Sequence, residues 1–404
     1  MRPRPPYTTD TISYPNGVGV DDEPPQGTAP ALDSCQDVYV SDLSHRPGPL
    51  TRRTLLGAAI GAGLVATAGR SVADPDERMI AARTRFFGAA NVDPQTGAVR
   101  GDRAILSWFG CTSFAAALGG TVVLLDAWVP RGAHSGYVPT TVAQVGELRP
   151  EAIFIGHGHF DHAADAGALA QASGAVLFGT AEHCTQVQRQ VEASTLRTVA
   201  FGDAQSALGE TYHHSVGSIE VTAVRHVHSG PKPPDRSAAG SAPFFPVPDI
   251  RDSIANPPQL CDLIALGSAL SDQEGGSLLY QFRVGGFTLT WNDSAGPLTE
   301  AAPQVYDVLR ALPASDVHLG AIQGFNQPLN GLRDVRQYIE AIRPAVFVPS
   351  HHDNWLPGFT ARGDTYRATL HGELERIPAE QRPALRFLSD PGDYIRPDAL
   401  TFTL

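Results

Sequence analysis

Four side chains able to bind a metal stand within six positions of the run Ala152-Ile153-Phe154-Ile155-Gly156-His157-Gly158-His159-Phe160-Asp161-His162. Imidazoles and a carboxylate without thiolates suit a borderline divalent cation in a catalytic site that keeps an open position. A short β-branched and aromatic strand leads into the run and ends at Gly156. In extended backbone His157 and His159 are two apart and point the same way, so they can grip one ion together. Asp161 and His162 follow as the chain turns into a helix starting near Ala163, which aims them at a second, adjacent ion. Packing inside a helix does not account for three histidines and an aspartate in so short a stretch.

More of the same chemistry lies downstream and upstream. Thr121–Trp128 reads as a strand carrying Asp126, and Val221–Ser229 as one carrying His226 and His228. Phe287–Ser294 leads to Asp293, and Val346–Asp353 brings His351 and His352. With these elements in this order, His157-x-His159-x-Asp161-His162 resembles the HxHxDH signature of the metallo-β-lactamase superfamily. The resemblance runs from about Ala104 to Asp353. It implies that His157, His159 and His228 hold a first metal, that Asp161, His162 and His351 hold a second, and that Asp293 bridges them. Asp126 would brace a ligand histidine from behind. His226 and His228 share a face of their strand and either could be the ligand; the lactonase-like and phospholipase-D-like branches favour His228. His351 and His352 are adjacent with opposed side chains, and the preceding Val348-Pro349-Ser350 favours His351. Asn292 stands where the family usually has Gly.

The implied chemistry is hydrolysis. Two divalent ions, zinc foremost with manganese and iron also suited, share a water and lower its pKa from about 15.7 towards roughly 7. The hydroxide between them attacks an ester, lactone or phosphodiester bond, while Asp161 orients it or passes a proton to the leaving group. A β-lactamase or other amide hydrolase is the alternative within the same fold. A redox or non-catalytic relative is a further alternative. His159, however, stands where redox relatives carry a glutamate, and every expected ligand type is present.

Other candidates read as structure. His183, beside Cys184 in a helix-like segment, and His318, in a strand, are core histidines; His213 and His214 belong to the surface, and His134 and His371 carry no context. Cys111 resembles no thiolate ligand, since Asp293 already fills the bridging place. Cys35, Cys111, Cys184 and Cys261 show no CxxC spacing, which excludes a zinc ribbon and leaves room for one disulfide among the last three.

Strands are expected at Ala104–Phe109, Thr121–Trp128, Ala152–Ile155, Ala175–Phe178, Ile219–Val224, Leu278–Val284, Phe287–Trp291, Val317–Leu319 and Val346–Val348. Helices are expected at Ala163–Ala172, Ala181–Glu192, Thr299–Leu312, Gly331–Ile342 and Thr365–Arg376. Their alternation makes the class α/β with mixed sheets. The resemblance sharpens this to a four-layer αβ/βα sandwich, two mixed β-sheets flanked by helices. The chain has 404 residues, 42% hydrophobic, enough for a sizeable core, and a net charge of −12, which argues against a nucleic-acid binder.

Residues 1–50 read as a disordered, Pro-rich extension. Residues 51–73 read as a twin-arginine export signal: Arg52-Arg53 precede a Gly/Ala-softened apolar segment, and Ser71 and Ala73 suit cleavage before Asp74. The apolar segment is too short for stable membrane insertion. The expected partner is therefore the twin-arginine export machinery, and the destination secreted, periplasmic or cell-wall-associated. Residues 74–404 form the hydrolase domain, with a Pro-rich insertion at 229–258 on the rim of the site. Within it Lys232, Arg236 and Arg251 could meet an anionic substrate and Phe244-Phe245 an acyl chain, so a small-molecule or lipid-like substrate is expected.

Overall fold

The structure, a computed structural model, describes residues 77–129, 136–191, 196–230 and 242–404. The export signal, the N-terminal extension, Lys232 and Arg236 lie outside the described residues. Six strands run through the first half: β1 (Arg103–Trp108), β2 (Phe114–Leu118), β3 (Thr121–Leu125), β4 (Ala152–Phe154), β5 (Val176–Gly179) and β6 (Thr198–Ala200). The second half adds β7 (Thr211–Val216), β8 (Ile219–His226), β9 (Ser277–Val284), β10 (Phe287–Asn292), β11 (Val317–Ala321), β12 (Val346–Ser350), β13 (Ala384–Leu385) and β14 (Thr401–Thr403).

They form two mixed seven-stranded sheets, ordered β14-β1-β2-β3-β4-β5-β6 and β13-β12-β11-β10-β9-β8-β7. The sheets follow one plan. Pairing is antiparallel from β14 to β3 in the first and from β7 to β10 in the second, then parallel to the far edge. Parallel pairs need crossovers, and helices supply them. Helices 166–173 and 181–189 cover the first sheet, and helices 303–311, 333–342 and 364–374 cover the second. The result is an α/β sandwich of four layers.

Between the sheets, the Phe154 ring meets Phe178, Tyr280 and Phe282 at centroid distances of 4.8, 5.3 and 4.9 Å. Full burial of such a side chain contributes about 1.5–3 kcal/mol. The Tyr280 hydroxyl donates to the carbonyl of Ile155 at 2.8 Å, and Leu278 N donates to the carbonyl of Gly156 at 2.8 Å. The inter-sheet core is thus sewn to the end of β4, where the metal-capable run begins.

Several boundaries differ from expectation for identifiable reasons. The helix expected at Ala163–Ala172 is two helices, Phe160–Ala163 and Ala166–Ser173, with the break at Ala164-Asp165. The one expected at Thr299–Leu312 breaks at Ala302, since a residue before proline is driven out of the helical region and Pro303 opens a new helix. Strand β2, Phe-Ala-Ala-Ala-Leu, lacks the β-branched signature and is recognisable only by its burial. Cys111 and Cys184 are buried and free, so a disulfide does not join them. Among the described residues no helix is long and apolar enough to cross a membrane.

Candidate metal centre

The metal-capable side chains converge beyond the carboxyl ends of β3, β4, β8, β10 and β12, the rim where open α/β sheets bind ligands. Gly156 is required there: a Cβ on it would lie 2.2 Å from the Asp293 carboxylate. His159 keeps extended backbone and caps the short helix Phe160–Ala163, which therefore starts before Ala163 and carries Asp161 and His162 in its single turn.

A first cluster joins His157, His159 and His228. His157 Nε2 lies 3.0 Å from His159 Nδ1 and 3.2 Å from His228 Nε2. A second joins Asp161, His162 and His351: His162 Nε2 is 3.5 Å from Asp161 Oδ2, while His351 Nε2 is 3.3 Å from Asp161 Oδ2 and 3.2 Å from His162 Nε2. Donors bound tetrahedrally at about 2.0–2.1 Å stand roughly 3.3 Å apart, so both clusters have the spacing of a metal cage. Ordinary packing does not bring imidazole nitrogens edge to edge in this way.

Asp293 connects the clusters. Its Oδ2 lies 2.8 Å from His157 Nδ1 and 3.4 Å from His162 Nδ1, the ring atoms turned away from the neighbouring donors. Its Oδ1 is buried without a hydrogen-bond partner among the described residues, an oxygen that a cation would satisfy. Oδ2 is thus taken up by the two rings, and Oδ1 is the oxygen left without a partner.

Asp126, held in left-handed backbone at φ 56°, accepts from His162 Nδ1 at 2.6 Å and from the Thr112 hydroxyl at 2.5 Å. That bond fixes the His162 ring so that Nε2 faces the centre. Its other oxygen accepts from Gly156 N at 3.2 Å, tying the brace to the start of the run.

The electrostatics of the clusters differ. Burial and neighbouring imidazoles hold His157 well below the ordinary histidine range, lower His159, and bring His228 down to about 4. These rings are neutral at pH 7, with lone pairs available. For His162 burial works the same way, but Asp161, Asp126 and Asp293 outweigh it and hold its pKa well above the ordinary range. Burial would raise Asp161, yet His162 and His351 hold it well below the usual carboxylate range.

The adjacent-histidine alternatives separate cleanly in space. Strand β8 ends at His226, so the two-residue alternation fails beyond it: His226 turns to the Tyr338 hydroxyl at 2.9 Å, and His228 reaches the first cluster. His351 points into the second cluster, whereas His352 stacks on Trp108 at 5.4 Å and donates to Leu388 O at 2.8 Å. Asn292 accepts from His318 Nε2 at 2.6 Å and donates to Ser294 O at 2.8 Å, which accounts for its presence before Asp293. His183 donates to Glu274 O at 2.8 Å, and the same carbonyl accepts from Gly158 N at 2.7 Å, so it steadies the His157–His159 turn from outside. His213 and His214 are exposed on β7.

Within the insertion, Arg251 is paired with Asp249 while its side chain stays exposed, Phe244 packs on Tyr366 at 5.1 Å, and Phe245 is exposed. Residues 249–252 are anchored instead to the segment after His351: Arg362 Nε donates to Asp249 at 2.8 Å and Asn354 donates to Asp252 at 2.9 Å. Residues absent from the sequence reading are Thr112 and the aromatic wall of Trp128, Phe160 and Trp355, the last 5.4 Å from the His351 ring. A Thr next to a small-residue turn carries no sequence signal of this role.

Residues 107–235 match the family model described as Metallo-beta-lactamase superfamily. The chain is similar to a UPF0173 metal-dependent hydrolase of Pyrobaculum neutrophilum, 33% identical over 105 residues, covering 24% of this chain and 45% of the relative. It is also similar to a UPF0173 metal-dependent hydrolase of Anaeromyxobacter dehalogenans, 32% identical over 149 residues, covering 36% and 50%. The chain thus spans about half the length of the curated relatives it matches. Among solved structures, Igni18, a metallo hydrolase from Ignicoccus hospitalis, aligns with TM-score 0.46 and 14% identity over 75% of this chain and 99% of its own.

Proposed function

We propose that this chain, matched to the metallo-β-lactamase superfamily over residues 107–235, is a metal-dependent hydrolase acting on an ester, lactone or phosphodiester bond. The observation that carries the reading is the pair of donor clusters at cage spacing with the Asp293 carboxylate between them. Each cluster would hold one divalent cation, zinc being the best match to imidazole and carboxylate. Bound there, the cations would lower the pKa of a water towards roughly 7 and draw electron density from the scissile carbonyl or phosphoryl group.

The chain's own residues supply the rest. Asp126 and Asp293 accept hydrogen bonds from Nδ1 of His162 and of His157, which turns each Nε2 towards the centre. Asp161, ionised and with a side chain 11% exposed, is the carboxylate positioned to take the proton given up by the attacking water and pass it to a leaving group. Trp128, Phe160 and Trp355 close one side against water. Phe325, 67% exposed and 6.3 Å from the His228 ring, is an apolar lip at the other side. Phe325 beside the His228 ring supports a substrate with an apolar part.

Residues 51–73 support export by the twin-arginine route, which carries proteins already folded and metal-loaded; an Arg52→Lys/Arg53→Lys chain should stay inside the cell. The catalytic reading is tested by metal analysis beside a panel of lactone, carboxylic ester, phosphodiester, phosphomonoester and β-lactam substrates. Wild type should turn over one of the first three, and Asp161→Ala and His228→Ala should lose metal and turnover. Full metal and full turnover in both variants would contradict it.

A further inference from the structure

The sequence gives no reason to link Cys111 to the centre, and the structure puts it there. We propose that the Cys111 thiolate is a fourth protein donor to the ion of the second cluster, an inference that rests on the metal-dependent reading above.

Cys111 is fully buried, and donor atoms of Cys111, Asp161, His162 and His351 all lie within 4.8 Å of one another. Its Sγ is 4.0 Å from Asp161 Oδ2. A metal–sulfur bond of about 2.3 Å beside metal–oxygen bonds of about 2.0 Å places sulfur roughly 3.5 Å from its neighbours, so the Sγ–Oδ2 separation would shorten by about half an ångström on binding.

The thiol is also fixed relative to the other donors. The Cys111 carbonyl accepts from His351 N at 2.9 Å and from Trp108 Nε1 at 3.0 Å, and Cys111 N meets both oxygens of buried Asp353 at 3.2 Å. One backbone hydrogen bond therefore couples the turn that carries the thiol to the turn that carries the imidazole. The competing role is a core thiol packed with Trp128, Trp355 and Leu356. That role needs no donor on its open side, whereas here the sulfur faces a carboxylate and two imidazoles.

The consequence is an asymmetric centre. A thiolate, a carboxylate and two imidazoles would offer the second ion four protein donors before any share of Asp293, while the first cluster offers three nitrogens. Sulfur also biases the second cluster towards zinc over manganese. On binding, the S–H proton passes to solvent as the metal–sulfur bond forms.

The test uses the full chain loaded with cobalt(II) in place of zinc. A near-ultraviolet thiolate-to-cobalt charge-transfer band is expected. Cys111→Ser should abolish it and release the second ion at a free-metal level where wild type keeps both, and Cys184→Ser should change neither. A missing band, or one that survives in Cys111→Ser, overturns the proposal. Should Cys111→Ser fail to fold, zinc X-ray absorption on the unaltered chain decides. A sulfur shell near about 2.3 Å supports the assignment, and a shell of nitrogen and oxygen alone near about 2.0–2.1 Å overturns it. Two bound ions without sulfur would leave the hydrolase reading standing; a chain that binds no ion would end both.

Discussion

The two clusters lie side by side and are built on opposite terms. The first is all imidazole, drawn from two loops, and half-open: His159 and His228 are only partly buried, with Phe325 at the lip. The second is more enclosed, mixes a carboxylate with imidazoles, and rests on a short helix and a left-handed turn at His351, φ 59°. A buried acid, Asp126, stands directly behind it. The first cluster is the more accessible and the second the more enclosed. A strained backbone residue persists only where its surroundings over-determine it, and Cys111, Asp126 and His351 all have positive φ around the second cluster.

The difference can be broken by removing one donor from each side. Asp161→Ala should cost about 10²–10⁴-fold in kcat/KM, since it removes a donor and the proton carrier together. It should release the second ion while the first stays. His228→Ala should release the first ion alone. Metal counts after gel filtration separate these outcomes, and equal loss of both ions in both variants would mean a single merged site. Asp126→Asn probes the brace. It should weaken metal binding by about 10–100-fold at the second cluster only, because its carboxylate touches His162 and no ring of the first cluster. Competition with a chelator reads this directly.

Smaller effects sharpen the picture. Phe325→Ala should raise KM by about tenfold for substrates with an apolar chain and leave kcat and short substrates unchanged, in line with about 1.5 kcal/mol of lost apolar contact. Steady-state kinetics on a chain-length series would show it. The scaffold behind the clusters has its own pH signature through His318, whose pKa burial lowers from 6.5 to about 3. The unfolded chain takes up that proton near 6.5 and the folded chain does not. The stabilisation is therefore complete above about pH 6.5 and is lost as pH falls towards about 3. Urea midpoints of the metal-free chain should drop across this window, and His318→Gln should flatten the slope.

The donor residues were legible because they are rare side chains at tight spacing, and β4 announces itself by Ile153, Phe154 and Ile155. The choice of His228 over His226 depended on where β8 ends, a boundary no periodicity marks. The choice of His351 over His352 came from the Val348-Pro349-Ser350 before it, since adjacency says only that the two rings oppose. Thr112 and Cys111 were invisible, since their contacts to His162 and Asp161 span about fifty residues of sequence. Asn292 looked like a departure from the family turn, and its reason, His318, sits on the neighbouring strand β11. Lone polar residues whose partners are set by sheet register leave no local trace.

Zinc-edge anomalous scattering from crystals of the loaded chain is the most direct test of the centre. Two peaks are predicted: one bonded to His157 Nε2, His159 Nδ1 and His228 Nε2, the other to Asp161 Oδ2, His162 Nε2 and His351 Nε2, each at about 2.0–2.2 Å. A map with no density between these side chains, or with zinc held only by exposed groups elsewhere, would contradict the account.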